Sequence, residues 1–282
     1  MMKNTLIYRE ISRIIKTALK EDIGTGDITT KAIVSPKKMG QAQVIAKDDF
    51  VVAGIDIFKQ TFLFVDESIK IKIFITEGNT TRKGEVIAQL TGALASILQA
   101  ERVALNILQR MCGIATQTKR YVEAVRGTKA KILDTRKTIP GLRLLDKMAV
   151  KAGGGFNHRM GLYDGALIKD NHIAAAGNIK DAVAAQKKKM TKKIKVEVET
   201  KNLTEVEEAL NSAVDIIMLD NMSIDEMKKA VALVKGRALV EASGNVNLNN
   251  VAQIAQVGVD FISVGEITHS VRAADISLKI IV

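Results

Sequence analysis

Between Lys131 and Gly265 short apolar runs recur, each ending in polar or charged residues and each followed by a stretch with helical spacing. The runs are Lys131-Ile-Leu-Asp134, Gly165-Ala-Leu-Ile-Lys169, Ile194-Lys-Val-Glu-Val-Glu199, Asp215-Ile-Ile-Met-Leu-Asp220, Ala238-Leu-Val-Glu-Ala-Ser243 and Phe261-Ile-Ser-Val-Gly265. With Glu199, Asp220, Ser243 and Gly265 as end markers, the intervals are 21, 23 and 22 residues, the length that one strand, one helix and two short loops require. Strands buried on both faces read as continuous apolar runs, so a polar residue at every end calls for a reason. A barrel of parallel strands supplies it, because reactive residues collect at its C-terminal rim. The pattern predicts that Asp134, Arg136, Lys137, Lys169, Glu199, Asp220, Ser243 and Gly265 converge on one site for a charged ligand.

Before about residue 127 the pattern is mixed. Apolar residues at 7, 11, 14, 15, 18 and 19 predict a helix, and Gly24-Thr-Gly-Asp27 a turn. Strands are expected over 40–47, 50–53, 69–76 and 85–90, with a helix over 55–65 between them. This is a small α+β layer. The stretch Glu77 to Leu90 has the look of a swinging-arm carrier hairpin but lacks a Met-Lys-Met tip. A helical stripe of Leu94, Ile97, Leu98, Leu105 and Leu108 follows, and Gly113 is expected to break it before a second helix to about Val125. Arg102 and Arg110 flank the stripe, as snorkelling surface residues or as site residues. The closing run Ile276–Val282 is apolar enough for a strand that rejoins the N-terminal layer. The chain therefore divides into 1–127, with residues 270–282 as a candidate addition, and 128–269.

Composition changes this picture in three ways. No apolar run approaches the roughly 20 residues that span a bilayer, and the first ten residues lack a signal core, so neither membrane nor export is expected. The single cysteine, Cys112, excludes an internal disulfide and suits a reducing cytoplasm, where it reads as a small buried hydrophobe. The net charge of +11 fits nucleic acid or small anions. With 4% aromatic residues, no tryptophan and no nucleic-acid motif, small anions drawn into a positive cleft are favoured. The basic stretch Lys187–Lys193 is then a solvated helix end and loop.

The densest polar cluster lies between the first two barrel strands, in Asp134-Thr-Arg-Lys-Thr-Ile-Pro-Gly141 and Gly153-Gly-Gly-Phe-Asn-His-Arg-Met160, on either side of a helix over 142–152. Its guanidinium groups suit carboxylates or phosphates, and the glycines permit close approach of backbone to a ligand. His158 alone reads as a core or capping residue, but beside Arg159 and the Arg136-Lys137 pair it reads as part of the site. Glu197 and Glu199 face the same way along their strand. Their burial needs cations, supplied by Lys169, Lys137 or Mg²⁺ held with a substrate phosphate; Glu199 is nearer the rim. Ser223-Ile-Asp-Glu226 has the form of a helix-capping box. Glycines after the last two strands, in Ser243-Gly-Asn245 and Val264-Gly-Glu266, suit a phosphate cradle.

Taken together, Glu101-Arg-Val-Ala-Leu-Asn-Ile-Leu-Gln109, Cys112-Gly-Ile-Ala-Thr116, Asp134-Thr-Arg-Lys-Thr138, Gly153-Gly-Gly-Phe-Asn-His-Arg159, Leu167-Ile-Lys-Asp-Asn-His172, Val196-Glu-Val-Glu199, Met218-Leu-Asp-Asn221, Glu241-Ala-Ser-Gly244 and Val264-Gly-Glu-Ile-Thr-His269 resemble the quinolinate phosphoribosyltransferase family over almost the whole chain. The resemblance implies an α/β fold, with an incomplete (β/α) barrel of about six or seven parallel strands behind an N-terminal α+β open-faced sandwich. It also implies transfer of phosphoribose from phosphoribosyl pyrophosphate to quinolinate with loss of CO₂, giving nicotinate mononucleotide for NAD synthesis. By the same resemblance Arg136, His158, Arg159 and Lys169 line a quinolinate pocket, which Arg102 enters from the partner in a homodimer with shared sites. Lys137, Lys169, Glu199 and Asp220 are the implied catalytic set around ribose, pyrophosphate and Mg²⁺, with Glu199 and Asp220 toward the metal. Ser243, Gly244 and Gly265 surround the 5′-phosphate, and Thr135, Asn245 and His269 complete the substrate-binding set. Asn245 stands where a second glycine is common. A molybdenum-associated paralogue, a nicotinate phosphoribosyltransferase and a basic binding protein without turnover are the rival readings. The type I phosphoribosyltransferase signature is absent from the sequence.

Overall fold

The computed structural model describes residues 6–190 and 194–281. The first five residues, the end of the basic stretch at 191–193 and the final valine, all touched by the expectations above, lie outside them. Contacts divide the chain into two units, one of Met1–Lys119, Ile139–Gly154 and Val271–Val282, the other of Arg120–Thr138 and Gly155–Ser270. The expected boundary near 127 thus falls inside the second unit, and the segment around 139–154, placed above with the barrel, belongs to the first.

The chain opens with α1 (Leu6–Ile23) and α2 (Ile28–Ile33), where the Asp27 side chain accepts the Thr30 N–H and caps the second helix. Next come β1 (Met39–Ala46), β2 (Phe50–Val51), α3 (Ile55–Val65), β3 (Lys70–Ile73), β4 (Thr80–Thr81), β5 (Val86–Ala93) and α4 (Leu94–Ala124). Alternate residues of β1, among them Ala42, Val44 and Ala46, are buried, the period of a strand with one face on a core. That core gathers Phe58 and Phe62 of α3, edge to face at 5.0 Å, with Leu90, Ile97, Leu105 and Cys112. The fourth strand of its antiparallel sheet comes from the other end of the chain, since β12 (Ile276–Ile281) pairs with β1 from Gln41↔Ile281 to Ala46↔Ile276, in the order β12-β1-β5-β3.

The break expected at Gly113 does not occur, and α4 runs unbroken for 31 residues. A β-carbon at Gly113 would lie 2.3 Å from the Arg272 carbonyl oxygen. The glycine therefore admits the returning C-terminal segment, while the helical hydrogen-bond ladder, which needs no side chain, continues through it.

The second unit holds β6 (Lys131–Leu133), β7 (Ala166–Ile168), β8 (Val196–Thr200), β9 (Ile216–Asp220), β10 (Leu239–Ser243) and β11 (Phe261–Ser263). All pair in parallel in the order β6-β11-β10-β9-β8-β7, so first and last strands are neighbours and the sheet wraps as an incomplete barrel. Phe156 adds a one-residue parallel bridge to Leu133 on the free side of β6, the remnant of a seventh strand. The intervening helices are α5 (Arg143–Ala152, counted with the first unit), α6 (Asp170–Ala176), α7 (Ile179–Lys189), α8 (Leu203–Asn211), α9 (Ile224–Val234), α10 (Val251–Gln256) and α11 (Glu266–His269). Side-chain caps begin several of them. Asn178 accepts from the Asp181 N–H and Asn202 from the Glu205 N–H, and Ser223 with Glu226 forms the expected reciprocal box. No described helix is long and apolar enough to cross a membrane.

Candidate active site

At the C-terminal ends of the barrel strands opens a cavity of about 730 Å³. Every residue assigned to substrate from the sequence lines it, apart from Arg102. Arg102 is exposed on α4, 4.0 Å from the Glu101 carboxylate. Its rival Arg110 makes two 2.8 Å hydrogen bonds to the buried Asp146 carboxylate, a bidentate fork that gives it a structural task. Asp134, expected among the rim charges, does not line the cavity. It is fully buried, and its Oδ1 accepts the His158 N–H at 2.9 Å, which anchors the start of the His158-Arg159 segment.

All five residues of β8 are buried, and its period of two sends Glu197 and Glu199 to the barrel interior. Glu199 takes the Lys169 ammonium at 2.5 Å, a charge-assisted contact that offsets part of its desolvation. Glu197 is paired deeper, its Oε2 3.0 Å from His158 Nε2, and Glu241 of β10 approaches the same nitrogen at 3.7 Å. His158 Nδ1 accepts the Arg159 N–H at 2.8 Å, so the ring proton is assigned to Nε2 and donated to Glu197. The Ser263 hydroxyl donates to Glu241 at 2.5 Å. Burial, followed by the Glu197 charge, pushes Glu241 up to about 8, so it holds its proton at neutral pH. Glu197 Oε1 is buried without a hydrogen-bond partner, which adds to the reason for the neighbouring acid to stay neutral.

His158, Glu197 and Glu241 are also the described residues whose ligand atoms, all within 4.8 Å of one another, are close enough to hold an ion as a group of three. The proton on Nε2 and the proton on Glu241 account for that proximity without one. Glu199 and Asp220 instead offer two carboxylates toward the open cavity, the hard oxygen donors that Mg²⁺ takes together with substrate phosphates.

On the opposite strand ends, a cavity of about 420 Å³ is lined by His158, Arg159, Glu197 and Glu241. His158 and Arg159 line both openings, whereas Glu197 and Glu241 line the second alone. Arg159 donates to the Gly165 carbonyl at 3.0 Å. Its guanidinium is held below its usual value by desolvation first and by the Arg136 charge second, yet an arginine remains charged under such pressure. Two guanidiniums are therefore crowded together at one end of the cavity, an arrangement that an anion relieves.

The loop after β6 is set by hydroxyls. Thr135 Oγ1 accepts the Lys137 N–H at 3.0 Å, and the Thr268 hydroxyl donates to the Lys137 carbonyl at 2.9 Å. A β-carbon on Gly265 would come within 3.2 Å of Lys137 Cδ, so that glycine gives the lysine its path into the cavity. Buried Tyr121 donates its hydroxyl to Glu266 beside it. At the next rim position Gly244 and Asn245 both have left-handed backbones, with φ of 89° and 51°. Asparagine tolerates that region, which explains why it can stand in the place of a second glycine. In sum the cavity carries Arg136, Lys137, Arg159 and Lys169 against Glu199, Asp220 and Glu266.

Sequence reasoning missed Asn221 and Ser263 as lining residues, and missed the inner role of Glu241. The signal for Glu241 was present: a carboxylate in the middle of an otherwise apolar strand.

Comparison with known proteins places this geometry in a family. The family model described as "Quinolinate phosphoribosyl transferase, N-terminal domain" matches residues 27–112, and the one for its C-terminal domain matches 114–279. The "Probable nicotinate-nucleotide pyrophosphorylase [carboxylating]" of Bacillus subtilis is 41% identical over 97% of this chain and 94% of its own length. The chloroplastic nicotinate-nucleotide pyrophosphorylase [carboxylating] of Arabidopsis thaliana is 46% identical over 96% and 83%. Among solved structures, NadC from Streptococcus pyogenes superposes with a TM-score of 0.94 at 38% identity, covering 98% of both chains. Human nicotinic acid phosphoribosyltransferase, at 12% identity and a TM-score of 0.60 over 99% of this chain and 74% of its own, shares the fold.

Proposed function

The chain belongs to the quinolinate phosphoribosyltransferase family, and from that premise we infer that its activity is transfer of phosphoribose from phosphoribosyl pyrophosphate to the ring nitrogen of quinolinate, with decarboxylation, in NAD biosynthesis. The observation that carries the reading to this chain's own residues is the lining of one cavity: the Arg136 and Arg159 guanidiniums crowded together, the Lys169–Glu199 ion pair, and Asp220 with the glycine loops at Gly244 and Gly265. A dicarboxylate fits the guanidiniums, and a phosphoribosyl group fits Asp220 and the loops.

Arg136 and Arg159 would hold the two carboxylates of quinolinate, each charge-assisted hydrogen bond contributing about 1.5–3 kcal/mol. His158, with both ring nitrogens engaged by protein atoms, would serve as a neutral wall rather than a proton donor. Cleavage of the anomeric bond builds positive charge on the ribose, which Glu199 and Asp220 would stabilise while Lys137 meets the departing pyrophosphate. Lys169, at 2.5 Å from Glu199, would fix that carboxylate and lend its charge to the acceptor. After alkylation the cationic ring stabilises the electron pair left on the ring carbon as its bond to the carboxylate breaks and CO₂ departs, and that carbon then takes a proton from solvent, so the protein has mainly to orient the carboxylate. Magnesium held by Glu199, Asp220 and the pyrophosphate would supply neutralisation of the leaving group.

Two further parts belong to the same reading. Exposed Arg102 suits delivery to the cavity of a second copy, which makes the working form a homodimer with shared sites. A cytoplasmic location is supported by a single buried cysteine, its thiol pushed up to about 12 by burial and so kept from oxidation chemistry. The test is incubation with Mg²⁺, phosphoribosyl pyrophosphate and carboxyl-labelled quinolinate, with nicotinate as a parallel acceptor. Equal release of CO₂ and mononucleotide from quinolinate alone is expected. Mononucleotide formed from nicotinate, or no turnover, would overturn the reading.

A further inference from the structure

We propose that Asn221 is a positioning residue that ties the Asp220 carboxylate to the Ser243–Asn245 loop, so that the group meeting the ribose and the loop meeting its phosphate act as one grip. The inference rests on the reading of this rim as the phosphoribosyl site.

Four contacts carry it. Asn221 Nδ2 donates to Asp220 Oδ2 at 2.9 Å, and Asn221 Oδ1 accepts from Asn245 Nδ2 at 2.9 Å. The orientation of the amide follows, because a flipped Asn221 would turn its oxygen on the Asp220 carboxylate and its NH₂ on that of Asn245. The Asn221 N–H donates to the Ser243 carbonyl at 2.9 Å. Gly244 lies flat against the same amide, since a β-carbon there would come within 2.3 Å of Asn221 Oδ1.

The loop is held from its far side as well. The Asn245 carbonyl accepts from Asn250 Nδ2 at 3.0 Å and Asn247 Nδ2 at 3.3 Å. An unbroken series of amides therefore runs from Asp220 through Asn221 and Asn245 to the start of α10. Asn221 itself is left-handed, with φ of 55°, a conformation that asparagine adopts more readily than most residues and that glycine adopts without strain. A helix-entry residue after Asp220 would need neither that backbone nor a side chain joined at both ends.

Asn221→Gly keeps the backbone and removes the amide. Its KM for phosphoribosyl pyrophosphate is expected to rise about tenfold while KM for quinolinate stays within about twofold, the scale of one or two lost hydrogen bonds. Metal-free calorimetry gives an independent readout. Nicotinate mononucleotide should bind Asn221→Gly about tenfold more weakly than wild type, and the riboside, which meets Asp220 but not the loop, should lose less, about threefold at most.

Asn245→Gly should show the same phosphate-selective loss, and the double variant no further loss, because either substitution opens the same link. Equal mononucleotide affinity for wild type and Asn221→Gly, equal weakening of the riboside, or additive losses in the double variant would each overturn the proposal. Failure of wild type to turn over quinolinate with phosphoribosyl pyrophosphate would overturn the functional reading instead.

Discussion

Two residues show how far side-chain chemistry follows from position. Arg136 stands beside Arg159 at the end of the cavity assigned to the acceptor, and Arg136→Ala should lower kcat/KM for quinolinate by about 10²-fold or more. Steady-state kinetics with quinolinate varied at saturating co-substrate measures it, and a loss below threefold would remove the residue from the pocket. Glu241 makes a different prediction, because it acts through protonation. It stays protonated up to about 8 when folded, whereas an exposed glutamate ionises near 4.5. The native chain thus binds more protons than the unfolded one in that window, and this group's contribution to stability is complete below the window and lost as pH rises through it. Glu241→Gln keeps the shape without the proton. A series of melting temperatures from about pH 5 to pH 8.5 should fall less steeply for the variant; parallel curves would show that Glu241 does not titrate there. Arg136 was legible from its neighbours in the chain. Glu241 was not singled out, because its partners His158, Glu197 and Ser263 come from other strands and loops.

At the scale of elements, periodicity served well wherever one face alone meets a core. The helix expected over 55–65 is α3, and 142–152 is α5 within one residue. The reading of Gly113 as a break failed because glycine has two meanings in a helix, one of weakness and one of close approach. The structure chooses the second, which leads to an inverted expectation for stability. Alanine is better than glycine by about 1 kcal/mol in a helix interior, so propensity predicts a gain. A β-carbon 2.3 Å from a backbone oxygen cannot be relieved by a rotamer change, and overpacking costs about 1–3 kcal/mol or more. Gly113→Ala should therefore lower the urea midpoint of unfolding, by a net loss of up to about 2 kcal/mol. A higher midpoint would mean that the C-terminal segment yields easily.

At the scale of the molecule, the proposal that Arg102 enters the cavity of a second copy makes a residue assignment a testable statement about assembly. Arg102→Ala and Lys137→Ala chains should each be inactive alone. Mixed and allowed to exchange, they should recover about a quarter of wild-type activity, because half the dimers then carry one intact site out of two. No recovery despite exchange, followed with differently tagged chains, would return Arg102 to the surface. Barrel class, strand polarity and a charged rim could be read from the order of residues, because buried parallel strands impose continuous apolar runs and their ends impose polar ones. The spacing of those ends carried the argument. The pairing of β12 with β1, the passage of the C-terminal segment over Gly113, the placing of protons on His158 and Glu241 beside Glu197, and the amide link through Asn221 could not be read in the same way. Each depends on groups far apart in the chain meeting within a few ångströms, and hydrophobic periodicity records which face of an element is buried, not which distant atom it is buried against.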